Sequence, residues 1–81
     1  MFFLVQIQRN TDGVYTKGVV VKETLESARQ GFHAYLGAYG FGNVATIDYV
    51  QAMVIDMDGR VRDNVVDNRI VIPIEEPAVE E

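Results

Sequence analysis

Apolar and polar positions alternate along most of this chain, and the alternation predicts a sheet. In residues 2–9, Phe3, Val5 and Ile7 fall on one side of a strand. Phe2, Leu4, Gln6 and Gln8 fall on the other, which is apolar only at its start. Asn10-Thr11-Asp12-Gly13 then supplies turn chemistry. Residues 14–22 repeat the pattern, with Tyr15, Lys17, Val19 and Val21 against Val14, Thr16, Val20 and Lys22. Gly18 within that strand suggests a bulge or a close backbone approach.

The period changes at residue 24. Leu25, Ala28, Phe32, Tyr35, Leu36 and Tyr39 recur at helical spacing, which predicts one helix over residues 24–39. Thr24 is its N-cap candidate, and Glu26 stands in the first turn, where the helix dipole favours an anion. Gly37, Gly40 and Gly42 end it. A second stripe of small residues, Ser27, Gly31, Ala34 and Ala38, shares one face and would let another backbone approach, so it is a self-association candidate.

Alternation returns in residues 46–57, with Tyr49, Gln51, Met53, Ile55 and Met57 against Val50, Ala52, Val54 and Asp56. Asp58-Gly59 reads as a two-residue hairpin signal. A fourth strand starts at Arg60 and ends near Val66. Asp67-Asn68 then reads as a turn, and residues 69–74 as a fifth short strand.

The result is an α+β domain, ββαββ, in residues 1–74. A helix of this length carries the chain back along the sheet, so the flanking strands run parallel. Pairing strands one and three in the middle makes every neighbour antiparallel and puts the two most apolar strands at the centre. The expected order is therefore 2-1-3-4, with the helix on one face. The uncovered face would expose Phe2, Leu4 or the alternate residues of strand three, and exposed apolar patches mark association surfaces.

Composition sharpens this reading. Val and Ile number 13 and 6 against 3 Leu, a balance that favours strands over helices. With 81 residues there is room for one modest core. The absence of Cys excludes disulfides and thiolate sites, and a single His makes an all-protein zinc site improbable. The net charge of −5 argues against a general nucleic-acid binder. Four of the 12 acids lie in residues 75–81, which read as an acidic disordered tail; residues 1–74 then carry 8 acids and 7 bases. The apolar start Met1–Val5 is too short for a secretory signal or a membrane span, so a cytoplasmic protein without a membrane partner is expected.

Candidate chemistry is sparse. His33 lies off the large stripe beside Glu26, Gln30 and Gly37, with no spacing that completes a triad, so it reads as a surface histidine. The run Gly37-Ala38-Tyr39-Gly40-Phe41-Gly42 closes a helix rather than opening one, where carbonyls and the dipole repel a phosphate. Its aromatics suggest a recognition loop instead. Asp56-Met57-Asp58-Gly59 resembles half a calcium loop, but Arg60 stands where the next oxygen ligand belongs. Arg60, Arg62 and Arg69 alternate with Asp63 and Asp67, as on an edge strand guarded against pairing.

The segments Lys17–Lys22 and His33–Gly40 resemble a group of short uncharacterised proteins of gut-dwelling Gram-positive bacteria and their prophages. That resemblance implies a bacterial, phage-associated setting and no particular activity. The expectation is a non-catalytic interaction module, with no cofactor and with a second copy or another protein as partner. The other reading is a small-molecule or nucleotide sponge, with Tyr35, Tyr39, Phe41 and His33 as binding residues.

Overall fold

The computed structural model describes residues 1–71. Its elements are β1 (Phe2–Asn10), β2 (Tyr15–Lys22), α1 (Leu25–Tyr39), β3 (Ile47–Asp56) and β4 (Val61–Asn68). All neighbours are antiparallel and the sheet order is β2-β1-β3-β4, as the pattern predicts. The acidic tail and residues 72–74 lie outside the described residues.

Both hairpins use one device. Asn10 N–H donates to the Val14 carbonyl at 2.9 Å, and Gly13 N–H to the Asn10 carbonyl at 2.8 Å. Asp56 and Arg60 repeat the first bond, and Gly59 and Asp56 the second, both at 3.0 Å. Each loop therefore holds three residues, the last a glycine at φ +94° or +82°. That is a type I turn closed by a left-handed bulge, so Asp58-Gly59 forms part of a three-residue loop rather than the expected two-residue turn. Asp side chains fix both loops: Asp12 accepts from Val14 N–H at 3.1 Å and Asp56 from Asp58 N–H at 2.9 Å.

The helix begins where its cap dictates. Thr24 is extended, and its hydroxyl oxygen accepts from Ser27 N–H at 3.0 Å. The helix buries Ala28, Phe32 and Leu36 against Leu4, Val50, Ala52 and Val54. It packs chiefly on β3 and β1 and touches β2 little. Ala52 is fully buried and leaves room for a close helix. Gly31 completes the approach, because a Cβ there would stand 2.9 Å from the Leu4 Cδ2 methyl.

Two further expectations are corrected. Leu4 is buried and Phe2 packs against the core, so the helix covers the face that carries Phe2, Leu4, Gln6 and Gln8. The open face carries Phe3, Val5 and Ile7 instead. The mixed side is the one covered because the helix needs only its first residues for the core, while Gln8 is engaged by Tyr35: the Tyr35 hydroxyl donates to Gln8 Oε1 at 3.1 Å. The other correction concerns β4, which continues through Asp67 and Asn68 rather than turning there. Asp67 bonds Phe41 N–H and Arg69 Nε, and Asn68 bends the chain one step later by accepting from Ile70 N–H at 3.0 Å. No strand starts at Arg69–Val71.

Candidate functional site

Antiparallel register places Phe3 between Val21 and Ile55, Val5 between Val19 and Met53, and Ile7 between Lys17 and Gln51. These residues share the face opposite the helix. Val61, opposite Ile55, and Val66, opposite Gln51, extend it onto β4. No described element lies over this apolar surface. Central residues such as Val5 and Met53 are half-buried by their neighbours on the sheet. The outer ones are open: Val19 is 60% exposed and Val21 54%.

One end of the same face is polar. Tyr15 and Tyr49 flank Arg9 at this end, their ring centroids 6.3 Å apart and edge-on, and the guanidinium stands 6.0 Å from the Tyr15 ring centroid. Arg9 also pairs with Asp48 at 2.6 Å. Asp48 Oδ1 is buried and has no hydrogen-bond partner. Tyr49 donates to Gln51 Oε1 at 3.0 Å, and Gln51 Nε2 to Asn64 Oδ1 at 3.1 Å. Strand acids Asp56, Asp63 and Asp67 pair in register with Phe2, Val54 and Val50, so they belong to the helix side.

The two edges differ. On β2 the residues from Tyr15 to Val21 are all exposed, and the outer side of the strand is unpaired among the described residues. On β4, charges and a register shift interrupt the edge: Arg29 bonds Asp63 at 2.7 Å, Arg62 reaches Asp56 at 3.7 Å and Arg69 bonds Asp67 at 3.0 Å.

A groove of about 430 Å³ runs where the helix stops short of β2, lined by Gln6, Gln8, Thr16, Gly18, Tyr35 and Tyr39 among others. Tyr35 and Tyr39 stand 5.2 Å apart, ring to ring. Burial pushes the Tyr35 hydroxyl above its ordinary pKa, and neighbouring Tyr39 adds to the shift.

The four expected binding residues are therefore not one cluster. Tyr35 and Tyr39 share the groove. Phe41 is 56% exposed, at φ +57°, on the side of the molecule where Asp67 accepts its N–H. His33 is exposed on the outer face of α1 near Leu25, Glu26, Arg29 and Gln30, its ring edge-on to Phe32 at 5.3 Å. The small-residue stripe divides as well: Ser27 and Gly31 are partly covered, and Gly31 is filled by Leu4, whereas Ala34 and Ala38 face outward. The open sheet face is the larger surface. Its residues stood in the sequence as alternating sets, and the signal that would have selected it is the small size of Gly31 and Ala52.

Among the described residues no group of three or more His, Asp or Glu is placed to hold a metal ion. No described helix is long and apolar enough to cross a membrane. Comparison with protein-family models, curated proteins and solved structures gives no match to this chain.

Proposed function

We propose that the protein is a small non-catalytic protein-interaction module that associates with itself through the open side of its sheet. The observation that carries this reading is the continuous apolar surface of Phe3, Val5, Val19, Val21, Met53 and Ile55, over which no described element lies. Water contact with such a surface costs roughly 25 cal/mol per Å² of apolar area, and association removes that cost. Four strands spaced about 4.8 Å apart and some nine residues long give a footprint of roughly 500–600 Å². That footprint is somewhat below the accessible area of about 800 Å² that one partner contributes to an ordinary interface.

Light scattering across micromolar concentrations tests the reading. A dimer or larger species is expected, and a strict monomer at the highest concentration overturns it. The resemblance of Lys17–Lys22 and His33–Gly40 supports a cytoplasmic accessory protein of a bacterial prophage or mobile element, which the neighbouring genes would test.

The groove beside Tyr35 and Tyr39 favours a second reading, a small-molecule or nucleotide binder. Chemical-shift mapping with a library of nucleotides and metabolites would move Gln8, Thr16 and Tyr39 resonances together. Silence across the library would remove it.

A further inference from the structure

The geometry points to β2 as the dimer seam: two copies join edge to edge, antiparallel, with Val20 of each copy opposite Val20 of the other. This rests on the self-association reading and keeps a second copy as partner, but it places the seam at the edge of the open face, joining Val19 and Val21 across it and leaving Val5 and Met53 uncovered.

The first support is the direction of the β2 backbone. Asn10 N–H donates to the Val14 carbonyl, so Asn10 and Val14 form a hydrogen-bonded pair. In an antiparallel ladder these pairs alternate with non-bonded ones. From the register, the even residues Thr16, Gly18, Val20 and Lys22 turn their backbone groups toward β1. The odd residues Tyr15, Lys17, Val19 and Val21 turn theirs outward, where nothing described receives them.

The second is self-complementarity. With Val20 opposite itself, Val19 meets the other copy's Val21 as a hydrogen-bonded pair, and Val21 meets its Val19. Six valines then meet across the seam, four on the open face (Val19 and Val21 of each copy) and two on the helix side (Val20 of each). Lys17 stands opposite Glu23, one residue past the strand end, and this happens twice. Lys22 stands opposite Gly18, which offers it space. Moving the centre to Val19 keeps a Val19–Val19 pair but sets Lys17 against Val21, Val20 against Gly18 and Glu23 against Tyr15, so the charge pairing is lost and the valine pairing is reduced to one pair.

The third is the contrast between edges. The exposed apolar side chains Val19, Val20 and Val21 lie together on β2 at 60%, 37% and 54% exposure, with no charged residue among them. On β4 charged and amide side chains interrupt the apolar ones. Strand addition at a bare edge is a recurring mode of recognition.

The chain has no cysteine, so a single introduced one can form a disulfide only between copies. In a non-bonded antiparallel pair the Cα atoms lie about 4.5 Å apart, within disulfide range. Val20→Cys is expected to give a covalent dimer under mild oxidation. Val66→Cys, comparably exposed on β4, is expected to stay reduced. Val19→Pro removes an outward N–H without touching the β1 ladder, and should weaken the dimer by about tenfold or more while the circular dichroism spectrum is retained. Association that survives Val19→Pro, with no disulfide from Val20→Cys, overturns the β2 seam but leaves self-association standing. A wild-type chain that is monomeric overturns both. If Val19→Pro does not fold, the pair of cysteine variants decides alone.

Discussion

Two glycines in one helix show how much a single side chain is worth here. A methyl at Gly31 would stand 2.9 Å from the terminal methyl of Leu4, a core residue only 1% exposed, so Leu4 would have to shift within the core. A methyl at Gly37 meets nothing within 4 Å. Alanine is favoured over glycine inside a helix by about 1 kcal/mol. Gly37→Ala is therefore expected to stabilise the fold by about 0.5–1 kcal/mol. Gly31→Ala is expected to lose that gain to overpacking, which costs roughly 1–3 kcal/mol. Urea unfolding of the two variants checks the opposite signs. Leu4→Ala should cost about 2–5 kcal/mol, because Leu4 is buried in an apolar cluster with Ala28, Phe32 and Val54 and the substitution leaves a cavity there. Little of this was visible before the fold was known. The spacing placed Gly31 on a stripe of small residues, but whether a stripe faces its own sheet or another molecule depends on where Leu4 points.

Hairpins and helix were legible as elements because each carries its own local chemistry. Alternation, the Thr24 cap and the Asp-Gly turns do not depend on distant parts of the chain. What escaped was the side of the sheet that the helix covers, since β1 offers apolar residues on both sides and only helix shape decides between them. The end of β4 escaped for a related reason. Asp67 and Asn68 have the side chains of turn residues, yet Asp67 spends its carboxylate on Phe41 and Arg69, contacts no short window of sequence reveals. The β3–β4 hairpin makes a prediction at this scale. The Arg60 backbone N–H is the main reason Asp56 ionises below the ordinary carboxylate range, with the Asp58 N–H and the Arg62 charge adding to it and desolvation opposing it. A carboxylate whose folded pKa is lowered contributes stability above its unfolded pKa and loses it as pH falls through the folded value. Acidification from about pH 7 to about pH 3 should therefore loosen this hairpin in the wild type. Asp56→Asn keeps an oxygen acceptor but has no charge to lose, so its pH dependence should be flatter. Amide hydrogen exchange of Arg60 and Asp58 across that range reads the difference.

At the scale of the molecule, a single helix cannot cover a four-stranded sheet on both sides. One side of this sheet has Asp56, Asp63, Asp67 and a packed helix; the other has Lys17, Arg9 with its ion-pair partner Asp48, and a broad apolar field. Replacing a central residue of that field probes association without dismantling the core. Met53→Lys, on the open face and outside the buried cluster, is expected to leave the circular dichroism spectrum unchanged and to lower the apparent mass of a species held face to face, whereas a dimer held at the β2 edge alone keeps its mass. An unchanged mass would show that the field is not used. Burial of the Tyr35 hydroxyl gives a second check on the intact fold. Its raised pKa means that stability is full below the ordinary tyrosine range and falls as the solution becomes strongly alkaline, an effect Tyr35→Phe should remove.

The salt-bridged β4 margin has a consequence for how many chains can gather. If every sheet had two receptive margins, each added chain would present a fresh one and growth would continue into a fibre. Here one margin carries Arg62, Asp63, Asp67 and Arg69 together with a break in register, so it offers no template. Under the proposed β2 seam, a chain with one sticky border and one refractory border satisfies its neighbour only by reciprocity, so growth along the sheet edge would stop at two copies.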